Sequence, residues 1–111
     1  APYGEAAVET MRRLKVYDAL APRIVRGSSI AQAYQYVATG NAELGFVALS
    51  QVINQPGGSR WLVPAADHAP IQQQAVLLKT GEKNPAARAF LTFLKSRTAV
   101  AIIKRYGYEV R

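Results

Sequence analysis

The sequence predicts an α/β fold, and three observations predict it. Residues 30–39 carry apolar side chains at Ile30, Ala33, Tyr34, Val37 and Ala38, the i, i+3, i+4, i+7, i+8 stripe of an amphipathic helix. Leu44-Gly45-Phe46-Val47-Ala48-Leu49 is a continuous apolar run, the composition of a strand buried on both faces. Arg23-Ile24-Val25-Arg26 reads as a short strand ahead of that helix, so strand, helix and strand follow in the order of a parallel crossover unit.

The elements follow in chain order. Pro2 suits the first turn of a helix over residues 2–14, where its missing N–H is not needed. Ala7, Met11 and Leu14 share one face with Val8 beside them. Glu5 and Glu9 lie toward the positive end of the helix dipole, and Arg12, Arg13 and Lys15 toward the negative end. Residues 16–21 form one short helical turn ended by Pro22. Ser28 or Ser29 is the natural N-cap of the amphipathic helix, and Gly40 its stop. Residues 54–59 are a loop rich in Gly, Pro and Ser, residues 61–63 a short strand stopped by Pro64, and residues 73–79 a strand with the core Ala75-Val76-Leu77-Leu78. Asn84-Pro85 starts a helix with Ala86, Phe90, Phe93 and Leu94 on one face. Ser96 caps a last helix with Ala99, Val100, Ile103 and Tyr106, ended by Gly107. The strands are few for the apolar stripe that this final helical pair presents. Part of the sheet is therefore expected to lie outside the chain.

Composition bounds the function. The chain has 111 residues, 50% hydrophobic and 19% charged, which suits one compact domain or a piece of a larger one. Fourteen basic residues stand against seven acidic ones, a formal charge of +7. With no cysteine, disulfides, thiol nucleophiles, zinc ribbons and iron–sulfur sites are excluded, and the single His68 excludes a multi-histidine metal site within one chain. The apolar runs fall far below the roughly 20 residues needed to cross a bilayer. The opening Ala1-Pro2-Tyr3-Gly4, without a start methionine or signal peptide, reads as a fragment cut from a longer protein.

No catalytic set emerges. His68 lies beside Asp67 with no nucleophile at useful spacing and reads as a loop side chain. Gly27-Ser28-Ser29 lacks the lysine of a phosphate loop, and the acidic residues are scattered. Positive charge alone favours nucleic acid, without interleaved aromatics or a groove-reading helix. Two helix starts are more informative, one at Pro2-Tyr3-Gly4 and one at Ser28-Ser29-Ile30. Each leaves backbone N–H groups free at the positive end of a dipole, and two such starts converging on a cleft would bind an oxyanion without a charged side chain.

Four segments recur in order: Ala1-Pro2-Tyr3-Gly4-Glu5-Ala6-Ala7, Ile30-Ala31-Gln32-Ala33-Tyr34, Ala42-Glu43-Leu44-Gly45-Phe46-Val47, and Ile103-Lys104-Arg105-Tyr106-Gly107-Tyr108. Together they resemble the C-terminal half of the periplasmic molybdate-binding proteins, the solute-binding components of bacterial molybdate ABC importers. The resemblance spans essentially the whole chain.

It implies a partial type II periplasmic-binding-protein fold, with molybdate or tungstate held between two α/β lobes. Residues 1–72 would be most of the second lobe, lacking its first strand, and residues 73–111 the return strand and helices that pack on the first lobe. The resemblance assigns the ligand contacts to the backbone N–H groups of Tyr3 and Ile30. These would donate to molybdate oxygens, with no side chain ligating the metal and no cofactor. Some members add a tyrosine hydroxyl where this chain has Ala48, so that contact is lost here. The implied setting is the periplasm, with the membrane permease as partner, no nucleic acid and no enzymatic activity. An isolated half is expected to dimerise or exchange elements between copies. The alternatives are the sensing lobe of a regulator, a binding protein for another anion or, less favoured, a small basic nucleic-acid-binding domain.

Overall fold

A computed structural model describes residues 2–110. Among these residues six α-helices follow in order: α1 (Pro2–Arg13), α2 (Tyr17–Leu20), α3 (Ile30–Ala38), α4 (Leu49–Val52), α5 (Pro85–Leu94) and α6 (Arg97–Arg105). Single 3-10 turns lie at Ala21–Arg23, Ala65–Asp67 and Lys79–Gly81. The chain divides between Ile71 and Gln72 into two compact units.

In the first unit, α1 packs on α2 and on the turn Ala65–Asp67. Thr10 lies on the covered face at 1% exposure beside buried Met11, and its hydroxyl donates to the Ala6 carbonyl at 2.8 Å. The Glu9 carboxylate accepts the Ala69 N–H at 3.1 Å, a charge-assisted bond that ties the loop after that turn to α1. The helix ends in a Schellman motif: Val16 N–H reaches Met11 O at 2.9 Å and Lys15 N–H reaches Arg12 O at 3.0 Å. Lys15 takes the left-handed position, at φ 60°.

The second unit is built on the α5–α6 hairpin. The Asn84 side chain accepts the N–H groups of Ala86 and Ala87 at 2.9 and 3.4 Å, and Pro85 fills the first helical position. The Ser96 hydroxyl accepts Ala99 N–H at 3.2 Å. Gly107, at φ 89°, closes α6. Ala99 on α6 is buried, whereas Phe90 is 60% exposed on the apolar face of α5.

Among the described residues there is no β-strand, so the α/β expectation holds for its helices and not for its sheet. Arg23 belongs to a 3-10 turn that runs on from α2 through Pro22, so Pro22 does not end that turn. Leu49 opens α4 instead of closing a strand. Residues 24–26, 44–47, 61–63 and 73–78 carry no assigned ladder. The reason is physical: a helix closes its hydrogen bonds within its own segment, while a strand exists only with a neighbour. Exposure follows, with Leu44 at 84% and Val76 at 76%. Residues 44–47 nevertheless cross α3 closely, since a Cβ on Gly45 would fall 2.5 Å from Val37 Cγ2. That is the close packing expected of a helix laid over an apolar run.

Candidate functional site

The two residues singled out for anion binding, Tyr3 and Ile30, both lie in the unit that ends at Ile71. Tyr3 is the second residue of α1 and follows Pro2, which brings no N–H of its own. Ile30 is the first residue of α3. Both side chains are half-buried.

The start of α3 is held by several independent contacts. Ser29 is the N-cap, in extended conformation at φ −152° and ψ 164°, and its hydroxyl accepts Gln32 N–H at 3.1 Å. The Gln32 side chain returns to accept Ser28 N–H at 2.6 Å, a reciprocal arrangement close to a capping box. Ser29 O accepts Ala33 N–H at 3.1 Å. Gly27 packs directly against this turn: a Cβ there would lie 2.8 Å from Ala33 N and 3.0 Å from Ser29 O, so no larger residue fits. With Gln32 and Ala33 supplied, the Ile30 and Ala31 amides have no partner among the described residues. They sit at the positive end of a nine-residue helix, where a ligand oxygen would be stabilised by the helix dipole.

Ala48, the position without the tyrosine hydroxyl, is 4% exposed, and its N–H donates to Gln51 Oε1 at 2.9 Å. Gln51 Nε2 in turn donates to the Ile30 carbonyl at 3.1 Å. One side chain thus links residue 48 to the start of α3. Sequence reading missed Gln51, because residues 49–52 lie at the end of an apolar run that reads as strand. The sequence reading also passed over Gln32, although Ser-x-x-Gln ahead of an amphipathic stripe is a helix-start signature that could have found it.

Other candidates carry less. His68 Nδ1 faces the Ala69 carbonyl at 2.8 Å, a local loop contact. A groove along α1 is lined by Glu5, Glu9, Arg12, Arg13 and Arg26, and by neither Tyr3 nor Ile30. Its carboxylates oppose an anion, and Glu9 is already paired with Arg13 at 3.4 Å. Among the described residues no cluster of His, Asp and Glu could hold a metal ion. Among the described residues no helix is long and apolar enough to cross a membrane.

The family model for bacterial extracellular solute-binding proteins matches residues 1–109. The chain belongs to that family. It is 57% identical to the molybdate-binding protein ModA of Rhodobacter capsulatus over 97% of this chain and 43% of the relative. It is 53% identical to the molybdate-binding protein ModA of Azotobacter vinelandii over 100% of this chain and 45% of the relative. Its backbone matches a solved periplasmic molybdate-binding protein of A. vinelandii with a TM-score of 0.91 at 40% identity, covering 99% of this chain and 50% of the other. The chain therefore spans about half the length of the relatives it matches, and the resemblance read from the four segments extends over its full length. The family is one of solute-binding proteins and not of enzymes.

Proposed function

We propose that these residues are the C-terminal half of a periplasmic binding protein that captures molybdate or tungstate for an ABC importer. The observation that carries the reading is the whole-length similarity to two proteins named as molybdate-binding, at 57% and 53% identity. The start of α3 supports it, since it offers unpaired amides and no formal charge of its own to a dianion. The Tyr3 and Ile30 N–H groups form this half's share of the cage, and donors from the other half complete it. Neutral donors at fixed positions select by oxygen-to-donor distance, which favours molybdate over the smaller sulfate.

In this reading residues 1–72 are most of the second lobe and residues 73–111 return to the first. The extended apolar runs are strands of an α/β sheet whose neighbours come from the rest of the protein. Closure of the lobes over the anion is what the membrane permease reads. Alone, the 111 residues pair or exchange elements with a second copy to cover Leu44, Val76 and Phe90.

The test is calorimetric titration of the whole protein carrying these residues with molybdate, tungstate and sulfate, for the native sequence and for Ile30→Pro. Proline is welcome at the first position of a helix, and the extended Ser29 before it already has the conformation that proline demands. The substitution therefore deletes the Ile30 N–H while leaving the helix start in place. A donor to a charged group contributes about 1.5–3 kcal/mol, so molybdate affinity should fall at least tenfold. Native affinity in Ile30→Pro removes Ile30 from the site, and a native protein blind to both metal oxyanions overturns the reading.

A further inference from the structure

The side chain of Gln51 makes two hydrogen bonds to backbone, one at Ala48 and one at the start of α3, the helix start that the proposed cage uses. Its Oε1 accepts Ala48 N–H at 2.9 Å, and its Nε2 donates to the Ile30 carbonyl at 3.1 Å. Flipping the amide would set N–H against N–H and oxygen against oxygen, so the partners themselves fix its orientation. The Ile30 carbonyl shares a rigid peptide plane with the Ala31 N–H, and the two point in opposite directions in a trans peptide. Holding the carbonyl therefore sets the tilt of the first peptide of α3, and a bond to that carbonyl also polarises its N–H. No other side chain hydrogen-bonds the Ile30 backbone among the described residues.

We infer that Gln51 is a positioning residue for the oxyanion cage, fixing the first turn of α3 relative to residue 48 so that its amides hold one oxygen-to-donor distance. The inference rests on the oxyanion reading above and adds to it the source of anion selectivity on this side of the site. Gln51 acts through the Ile30 peptide and does not itself touch the anion. A first turn released from Gln51 tilts to meet a smaller anion, so its loss weakens molybdate binding and relaxes discrimination against sulfate.

The experiment compares native protein, Gln51→Met and Gln51→Glu in the whole protein carrying these residues. Molybdate and sulfate are titrated calorimetrically, and the Ala31 and Ala48 amides are followed by NMR. Gln51→Met keeps the chain length and removes both bonds. It should lower molybdate affinity about fivefold, the net worth of a hydrogen bond, and lower sulfate affinity less. Both amide resonances should move. Gln51→Glu keeps the acceptor for Ala48 N–H and puts an acceptor against the Ile30 carbonyl. The Ala31 amide proton should move upfield, as its polarising bond is lost, while the Ala48 proton keeps its acceptor and moves downfield on the carboxylate, which reads the two bonds separately even if Gln51→Met does not fold. An unchanged molybdate-to-sulfate ratio in the variants, with the native protein binding normally, overturns the role of Gln51 alone. A native protein that binds neither anion overturns the oxyanion reading and this inference with it.

Discussion

The helices and the extended runs of this chain behave differently. α3, α5 and α6 are complete down to their caps, each started by a Ser or Asn side chain that accepts a first-turn N–H. The runs at 44–47 and 73–78 have the composition of buried strands and yet leave Leu44 84% and Val76 76% exposed. The difference lies in where the stabilising partners are. A helix finds its hydrogen bonds within four residues, whereas an apolar strand depends on neighbours distant in sequence. The helices are therefore complete within this chain, whereas the apolar runs stand without hydrogen-bonded neighbours among the described residues.

The largest expected effect tests whether the displayed surface is covered in the whole protein. Phe90 is 60% exposed on α5. An exposed phenylalanine changed to alanine costs within about 0.5 kcal/mol, and a buried one about 3–5 kcal/mol. Phe90→Ala should lower the stability of the whole protein by about 3 kcal/mol, measured by urea denaturation. A loss below about 0.5 kcal/mol would break the comparison, because the face would then be a true surface.

A smaller effect tests whether the helix starts are local devices only. Gly27 lies outside α3, and a Cβ there would meet backbone atoms of Ala33 and Ser29 at 2.8 and 3.0 Å. Backbone cannot step aside as a side-chain tip can. Gly27→Ala should cost about 2 kcal/mol by the same denaturation assay, at the middle of the range for overpacking. A neutral result would leave the Ser28–Ser29–Gln32 hydrogen bonds as sufficient to set the turn by themselves.

Legibility in the sequence follows the same division. The stripe Ile30, Ala33, Tyr34, Val37, Ala38 and the pair Asn84-Pro85 were readable, because period and cap chemistry are local. Residues 23–26 misled, because a β-branched pair between arginines does not reveal that Pro22 carries a 3-10 turn through to Arg23. The other apolar runs, at 44–49, 61–63 and 73–79, read as strands from composition alone, yet none of them forms a strand among the described residues, since pairing depends on residues distant in sequence. At the site, Ile30 was readable as a helix start with free amides. Gln51 was not, because its two bonds join residues 21 and 3 positions away through a one-turn helix that apolar composition hides.

The smallest effect compares two helix ends of the same design. α6 closes with Gly107 N–H on Lys104 O at 2.9 Å and Tyr108 N–H on Ile103 O at 3.3 Å, and Gly107 takes the left-handed position at φ 89°. α1 closes with the equivalent pair of bonds, yet its left-handed position is filled by Lys15 at φ 60°. A residue with a Cβ pays about 1–2 kcal/mol there, because the Cβ crowds the following carbonyl. Glycine removes that cost, but its freer unfolded chain returns about 0.5–1 kcal/mol of it. Lys15→Gly should therefore stabilise the protein by about 0.5–1 kcal/mol, seen as a rise in urea midpoint at unchanged slope. The reciprocal change, Gly107→Lys, should destabilise by a similar amount if the two ends are equivalent. Asymmetry between the two would mean that the tail after α6 is held by contacts that the end of α1 lacks.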